Sequence, residues 1–103
     1  NAEASYDIAK LVMDEHIDAI FAFTSQGRLV RALSTFRVAA PIVAMVPNEK
    51  MWTKFGPNYN VFARIAKATD YKSDAAIKKH AAAMGIKGKV IVAQKHEFRI
   101  VKV

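Results

Sequence analysis

Residues 19–36 read AIFAFTSQGRLVRALSTF. AIFAF (19–23) is an unbroken apolar run of strand length, the pattern of a strand covered on both faces in a parallel sheet. The polar turn Thr24-Ser25-Gln26-Gly27 follows it. Arg28 to Phe36 then sets Leu29, Leu33 and Phe36 at i, i+4 and i+7, which predicts an amphipathic helix. A buried strand, a short turn and a helix are the first half of a strand–helix–strand crossover, the connection that parallel neighbours require.

The flanking sequence extends the pattern. PIVAMV (41–46) is a second buried strand, with Pro41 at its first residue, where no ladder N–H is lost. Upstream, AEASYDIAKLVMDE (2–15) carries Ala4, Ile8, Leu11 and Val12 at helical spacing until Glu15 breaks the stripe. Downstream, Asn48 reads as the N-cap of a short helix from Glu49 to Phe55, stopped by Gly56-Pro57. NVFARI (60–65) is a third strand, less apolar and so nearer an edge. Ser73 or Asp74 caps a fourth helix, AAIKKHAAAMG, with Gly85 as its stop. KVIVA (89–93) is a fourth buried strand, QKHE (94–97) a turn and FRIVKV (98–103) the last strand.

The order αβαβαβαββ implies an α/β fold, a three-layer sandwich with a mostly parallel sheet and helices on both faces. The last two strands lie too close in sequence for a crossover, so they pair antiparallel. The 103 residues suit a single domain spanning 1–103. A domain of this size buries roughly 60% of its unfolded surface, enough for one core but leaving little room for a deep enzyme cleft.

Composition narrows the function classes. Hydrophobic residues at 52% and charged residues at 24% argue against disorder. No apolar run approaches ~18 residues, so no transmembrane helix is expected. The N-terminus lacks a charged-then-apolar leader. It begins Asn1-Ala2-Glu3, without Met, and an excised domain is one expectation. The absence of cysteine excludes disulfides, thiolate metal sites and a thiol nucleophile, and a cytoplasmic location is expected. The net charge is +7, unevenly spread: residues 1–20 hold five acids and one base, and residues 21–103 hold fifteen bases and four acids. Such a basic body either favours phosphorylated ligands, nucleic acid or an acidic partner, or is simply a soluble surface.

The candidate chemistry is sparse. His16, His80 and His96 share no metal-ligand spacing, and a surface or boundary position is the expectation for each. Asp14, Glu15 and Asp18 read as a solvated helix end, although their charge opposes the helix C-terminal dipole. Trp52, Phe55 and Tyr59 near Lys50 and Lys54 could stack bases, but on a short helix and its exit loop they more commonly cap a core. No phosphate-loop, dinucleotide or nucleophile-elbow motif is present, and no catalytic constellation or metal site emerges. The turn after AIFAF remains. Backbone N–H groups and hydroxyls at Thr24, Ser25, Gln26 and Gly27 meet a helix N-terminus, with Arg28 and Arg31 adding positive charge. In open α/β sheets ligands favour the carboxyl ends of the strands, so this is a position for an anion.

With these residues in view, the chain resembles the C-terminal α/β domain of pyruvate kinase. AEASYDIAKLVM is similar to that domain's opening helix. AIFAFTSQGRLVRALSTFRVAAPIVAMVPNEK is similar to its strand, phosphate loop, helix and next strand. The likeness includes Ser34-Thr35-Phe36-Arg37 with Pro41-Ile42, and Asn48-Glu49-Lys50. The resemblance implies a five-stranded sheet with the last strand antiparallel. It also implies a regulatory, oligomerisation module of a glycolytic transferase, which moves a phosphoryl group from phosphoenolpyruvate to ADP. Magnesium and potassium belong to that enzyme's barrel domain, so no cofactor is expected in this segment.

In many members the strand-to-helix loop holds a phosphate of a sugar-phosphate effector through a pattern like T-x-[ST]-G-x-[ST]. Here Thr24 and Gly27 match, and Arg28 is the basic residue between, while Gln26 and Leu29 stand where hydroxyl residues are usual. The family's closing loop is cut to Gln94-Lys95-His96-Glu97. Each lost hydrogen bond to a charged group costs roughly 1.5–3 kcal/mol, and roughly 1.4 kcal/mol is a tenfold change in affinity. Tight effector binding is therefore not expected, while weak phosphate or sulfate binding is. The expected anion residues are Thr24, Ser25, Gln26, Gly27 and Arg28. Self-association, or contact with a catalytic domain, is the expected partnership, with the last strand as one edge; Arg99 and Lys102 there either flank a dyad or blunt the edge. Two rival readings are a small basic nucleotide- or nucleic-acid-binding domain and a free-standing small enzyme.

Overall fold

AIFAF forms the middle of the sheet. The computed structural model describes residues 2–23, 28–35, 38–48, 50, 61–94 and 97–103, with the backbone alone at 2–5 and 28. The elements are α1 (Ala2–Asp14), β1 (Ala19–Phe23), α2 (Arg28–Thr35), β2 (Ile42–Val46), β3 (Val61–Ile65), a 3-10 helix (Ala68–Lys72), α3 (Asp74–Ala83), β4 (Lys89–Gln94) and β5 (Glu97–Lys102). The strands lie in the order β3-β2-β1-β4-β5. All neighbours are parallel except β4 and β5.

Burial explains the order. β1 and β2 are buried at every residue, and β4 at its four central ones. β3 and β5 are only partly covered, as edge strands can be. The pleat divides β1 between two cores. Ile20 and Ala22 join Ile42, Ala44, Ile91 and Ala93 under α1 and α2, through Ile8, Leu29, Val30 and Leu33. Ala19, Phe21 and Phe23 join Val43, Met45, Val90 and Val92 under the 3-10 helix and α3, through Tyr71, Ile77 and Ala81. A one-residue register slip in β1 would exchange these two sets. The expected three-layer sandwich, with the last strand antiparallel, is what forms.

Several boundaries differ from the sequence reading. Gln94 and Glu97 are not turn residues; they are the last rung of the β4–β5 ladder, leaving only two residues between the strands. Pro41 precedes β2, and its carbonyl accepts from Ile20 N–H at 2.9 Å. The 3-10 helix was not anticipated. Asp70 shapes it, its Oδ2 accepting from Lys67 N–H at 3.3 Å while its own N–H donates to the Lys67 carbonyl at 3.0 Å. α3 begins as expected: Ser73 is its N-cap, with its hydroxyl accepting from Ala76 N–H at 3.2 Å. Gly85, at φ 73°, follows its end. The helix expected from Glu49 to Phe55, with Trp52, Phe55 and Tyr59, lies outside the described residues apart from Lys50, which is helical.

Candidate functional site

β1 sits where the chain reverses its direction of travel across the sheet. β2 and β3 lie on one side of it, and β4 and β5 on the other. The carboxyl end of β1 therefore faces a topological switch point, where open α/β sheets place their ligands. Phe23 ends the strand, opposite Gln94 of β4 and edge-on to Tyr71, with ring centroids 5.7 Å apart. After four intervening residues α2 begins, its buried Leu29, Val30 and Leu33 fixing it to the sheet. No acid occupies its first turn, so nothing there opposes an anion at the N-terminus. Thr24, Ser25, Gln26 and Gly27 lie outside the described residues, as does the side chain of Arg28.

A second polar cluster lies on the same rim of the sheet, beyond β2 and β3. Arg64 Nε–H donates to His80 Nδ1 at 2.6 Å, and His80 Nε2 meets Asp70 Oδ2 at 3.0 Å. Since Arg64 can only donate, Nδ1 must be unprotonated, and Nε2 carries the hydrogen that Asp70 accepts. The network thus assigns the ring hydrogen to Nε2. The hydrogen bond from His80, and then that from Lys67 N–H, lowers the Asp70 pKa against the opposing effect of burial. The cluster opens into a cleft of about 710 Å³, which Arg64, Lys67, Lys79 and His80 help to line. Both ring nitrogens of His80 are engaged, and neither is bonded to a hydroxyl nucleophile, so the cluster is not poised as a catalytic base.

The acidic residues after α1 prove to be a clamp. Asp18 Oδ2 accepts from Lys89 N–H at 2.9 Å, and Asp18 N–H donates to the Lys89 carbonyl at 2.8 Å. His16, on the surface, bonds Asp18 Oδ1 at 2.9 Å. Glu15 takes Lys89 Nζ at 2.9 Å. The Lys89 backbone, then His16, lowers the Asp18 pKa. Glu15 and Asp18 are therefore not merely a solvated helix end. They tie the start of β1 to the start of β4, offsetting the unfavourable helix dipole. Among the described residues no three His, Asp or Glu side chains converge as metal ligands.

Sequence reasoning placed His16 correctly at the surface. It missed the bonding of His80, whose partners lie ten and sixteen residues away. The available signal was an arginine interrupting NVFARI and a histidine one position before the buried Ala81. Arg99 of β5 is also engaged within the chain. Its Nη2 donates to the Tyr71 carbonyl at 2.6 Å and to Asp74 at 2.9 Å, and its guanidinium lies 4.9 Å from the Tyr71 ring centroid. His96 and Lys95 lie outside the described residues.

Among the described residues no helix is long and apolar enough to cross a membrane. The fold is similar to crystal structures of pyruvate kinase from Cryptosporidium parvum. Two of these align with TM-scores of 0.84 and 0.86 at 15% and 16% identity, each over 98% of this chain and 22% of the solved one. A third, solved in complex with ADP, aligns at 0.84 and 16% identity over 98% of this chain and 23% of that one. The chain thus spans under a quarter of these enzymes. No curated protein sequence matches it. The family model described as pyruvate kinase, alpha/beta domain, matches residues 2–100, almost the whole chain. The chain belongs to the pyruvate kinase alpha/beta domain family.

Proposed function

We propose that this domain is a regulatory and subunit-contact module of a longer, cytoplasmic pyruvate kinase, retaining a weak phosphate site at Thr24, Ser25, Gln26, Gly27 and Arg28. The observation that carries the phosphate site is the position of this turn, between the buried end of β1 and the start of α2, at the switch point of the sheet. The helix dipole and backbone N–H groups favour an anion there. Gln26 and Leu29 replace two hydroxyl residues, and two residues join β4 to β5, so little chain is available to close over a ligand. Phosphoryl transfer, with its magnesium and potassium, belongs on this reading to a separate catalytic domain.

Contacts with that domain, or with a second copy, are supported by large apolar side chains left in solvent. Tyr6 and Met13 project from α1, Phe62 and Ile65 from β3, and Ile100 from β5. The nucleic-acid alternative is not favoured by the family match.

Calorimetric titration tests the phosphate site. Inorganic phosphate should bind at millimolar strength, fructose bisphosphate no more than about tenfold tighter, and Thr24→Val should remove both. Submicromolar fructose bisphosphate binding, or binding indifferent to Thr24→Val, would overturn the reading.

A further inference from the structure

The cleft beyond β2 and β3 plays no part in the reading above. It lies on the α3 side of the sheet, one to two strands away from β1. Three cations line it, Arg64, Lys67 and Lys79, against a single carboxylate, Asp70. That carboxylate already accepts from His80 and from Lys67 N–H. Arg64 uses its Nε–H on His80, and among the described residues nothing accepts from its two terminal amino groups. The Asp70–His80–Arg64 chain of hydrogen bonds therefore does two things. It fixes the plane of the guanidinium, and it leaves the two terminal amino groups without an acceptor among the described residues.

A planar pair of donors, in a cleft that Lys67 and Lys79 also line, suits a dianion such as a phosphate better than a halide. The cleft is far larger than one phosphate, at about 710 Å³, within the range of small-molecule sites. Pro47, Ile65, Ala66 and Ala76 give its remaining wall an apolar character. We propose that this cleft binds a phosphomonoester, its phosphate on Arg64, Lys67 and Lys79 and its apolar or ring-shaped body on Pro47, Ile65 and Ala66. His80 and Asp70 are positioning residues: they touch the guanidinium, not the ligand.

The test titrates the protein with phenyl phosphate, inorganic phosphate and phenol at fixed ionic strength, by calorimetry and by NMR. Phenyl phosphate should bind saturably at one site and more tightly than inorganic phosphate, shifting the Arg64 Nε–H and His80 ring resonances; phenol should not bind. Arg64→Gln should weaken phenyl phosphate at least tenfold. Lys79→Gln, at an exposed position, should weaken it several-fold with an unchanged melting temperature. His80→Phe, which keeps a ring but offers Arg64 no acceptor, should reduce affinity and shift the Arg64 Nε–H resonance even without ligand, a readout that lost bulk alone would not move. Thr24→Val should leave this binding intact, so the two phosphate readings fail independently. The proposal is overturned by non-saturable binding, by equal affinity for phenyl phosphate and inorganic phosphate, or by binding that survives Arg64→Gln and Lys79→Gln. Salt-sensitive binding of single-stranded RNA that displaces phenyl phosphate would also overturn it.

Discussion

Gly88 and Gly85 both hold a positive φ, at 109° and 73°, but their surroundings differ. A Cβ at Gly88 would collide with the Asp18 carboxylate, the group that clamps Lys89, whereas a Cβ at Gly85 meets nothing within 4 Å. Gly85→Ala should therefore cost only the left-handed backbone penalty, about 1 kcal/mol. Gly88→Ala should cost about 2–4 kcal/mol, because strain and the broken clamp act together. Urea unfolding of the two variants checks this, and equal losses would refute the clamp. The same carboxylates set the response to acid. Asp18 and Asp70 are each held below their ordinary pKa by hydrogen bonds, chiefly from Lys89 N–H and from His80 respectively. A group whose folded pKa is lowered contributes stability above its unfolded pKa and loses it as pH falls through the folded value, so the loss lies below about pH 4. Melting temperatures between pH 5 and pH 2 should fall less steeply in the Asp18→Asn, Asp70→Asn double variant than in the parent. An identical slope would show that neither carboxylate matters.

At the scale of elements, α3 depends on its cap and β5 on one arginine. Ser73→Ala removes the acceptor for Ala76 N–H and should cost about 1 kcal/mol. Arg99→Met breaks the bonds to Tyr71 and Asp74 while keeping an apolar stem, and should cost about 1 kcal/mol. Its amide exchange should quicken in β5 and the 3-10 helix but not in α1; uniform quickening would contradict a local tie. Much of this architecture was legible in the sequence because burial on both faces leaves continuous apolar runs. AIFAF, PIVAMV and KVIVA could hardly be other than central strands, and the less apolar NVFARI lies at an edge. Local chemistry also revealed Ser73 and Gly85. ATDYK carries no such periodicity, and its 3-10 turn is set by a side chain reaching back to the backbone. The Arg64–His80–Asp70 chain was illegible for a different reason: three elements must pack before those residues meet. The anion reading of Thr24–Gly27 comes from their place in the sequence between strand and helix; among the described residues, β1 ends at the switch point of the sheet.

At the scale of the molecule, a small sheet with two covered faces still leaves apolar side chains on α1 and on both edge strands. Met13 is 86% exposed and Tyr6 57%. Replacing Met13 by Lys should change stability by no more than about 0.5 kcal/mol, and replacing Tyr6 by Ser completes the pair. On the contact-module reading the same pair of changes weakens self-association or docking to a catalytic domain, as sedimentation equilibrium would show; unchanged association would remove α1 from the contact surface. The proposed phosphate site lies where β1 hands over to α2. Its most direct test follows backbone amide resonances of the protein during titration with inorganic phosphate at constant ionic strength. Saturable, millimolar shifts concentrated at Gly27, Arg28 and Leu29 are expected, with their loss in Thr24→Val. Amides there that stay unmoved up to saturating phosphate would contradict it.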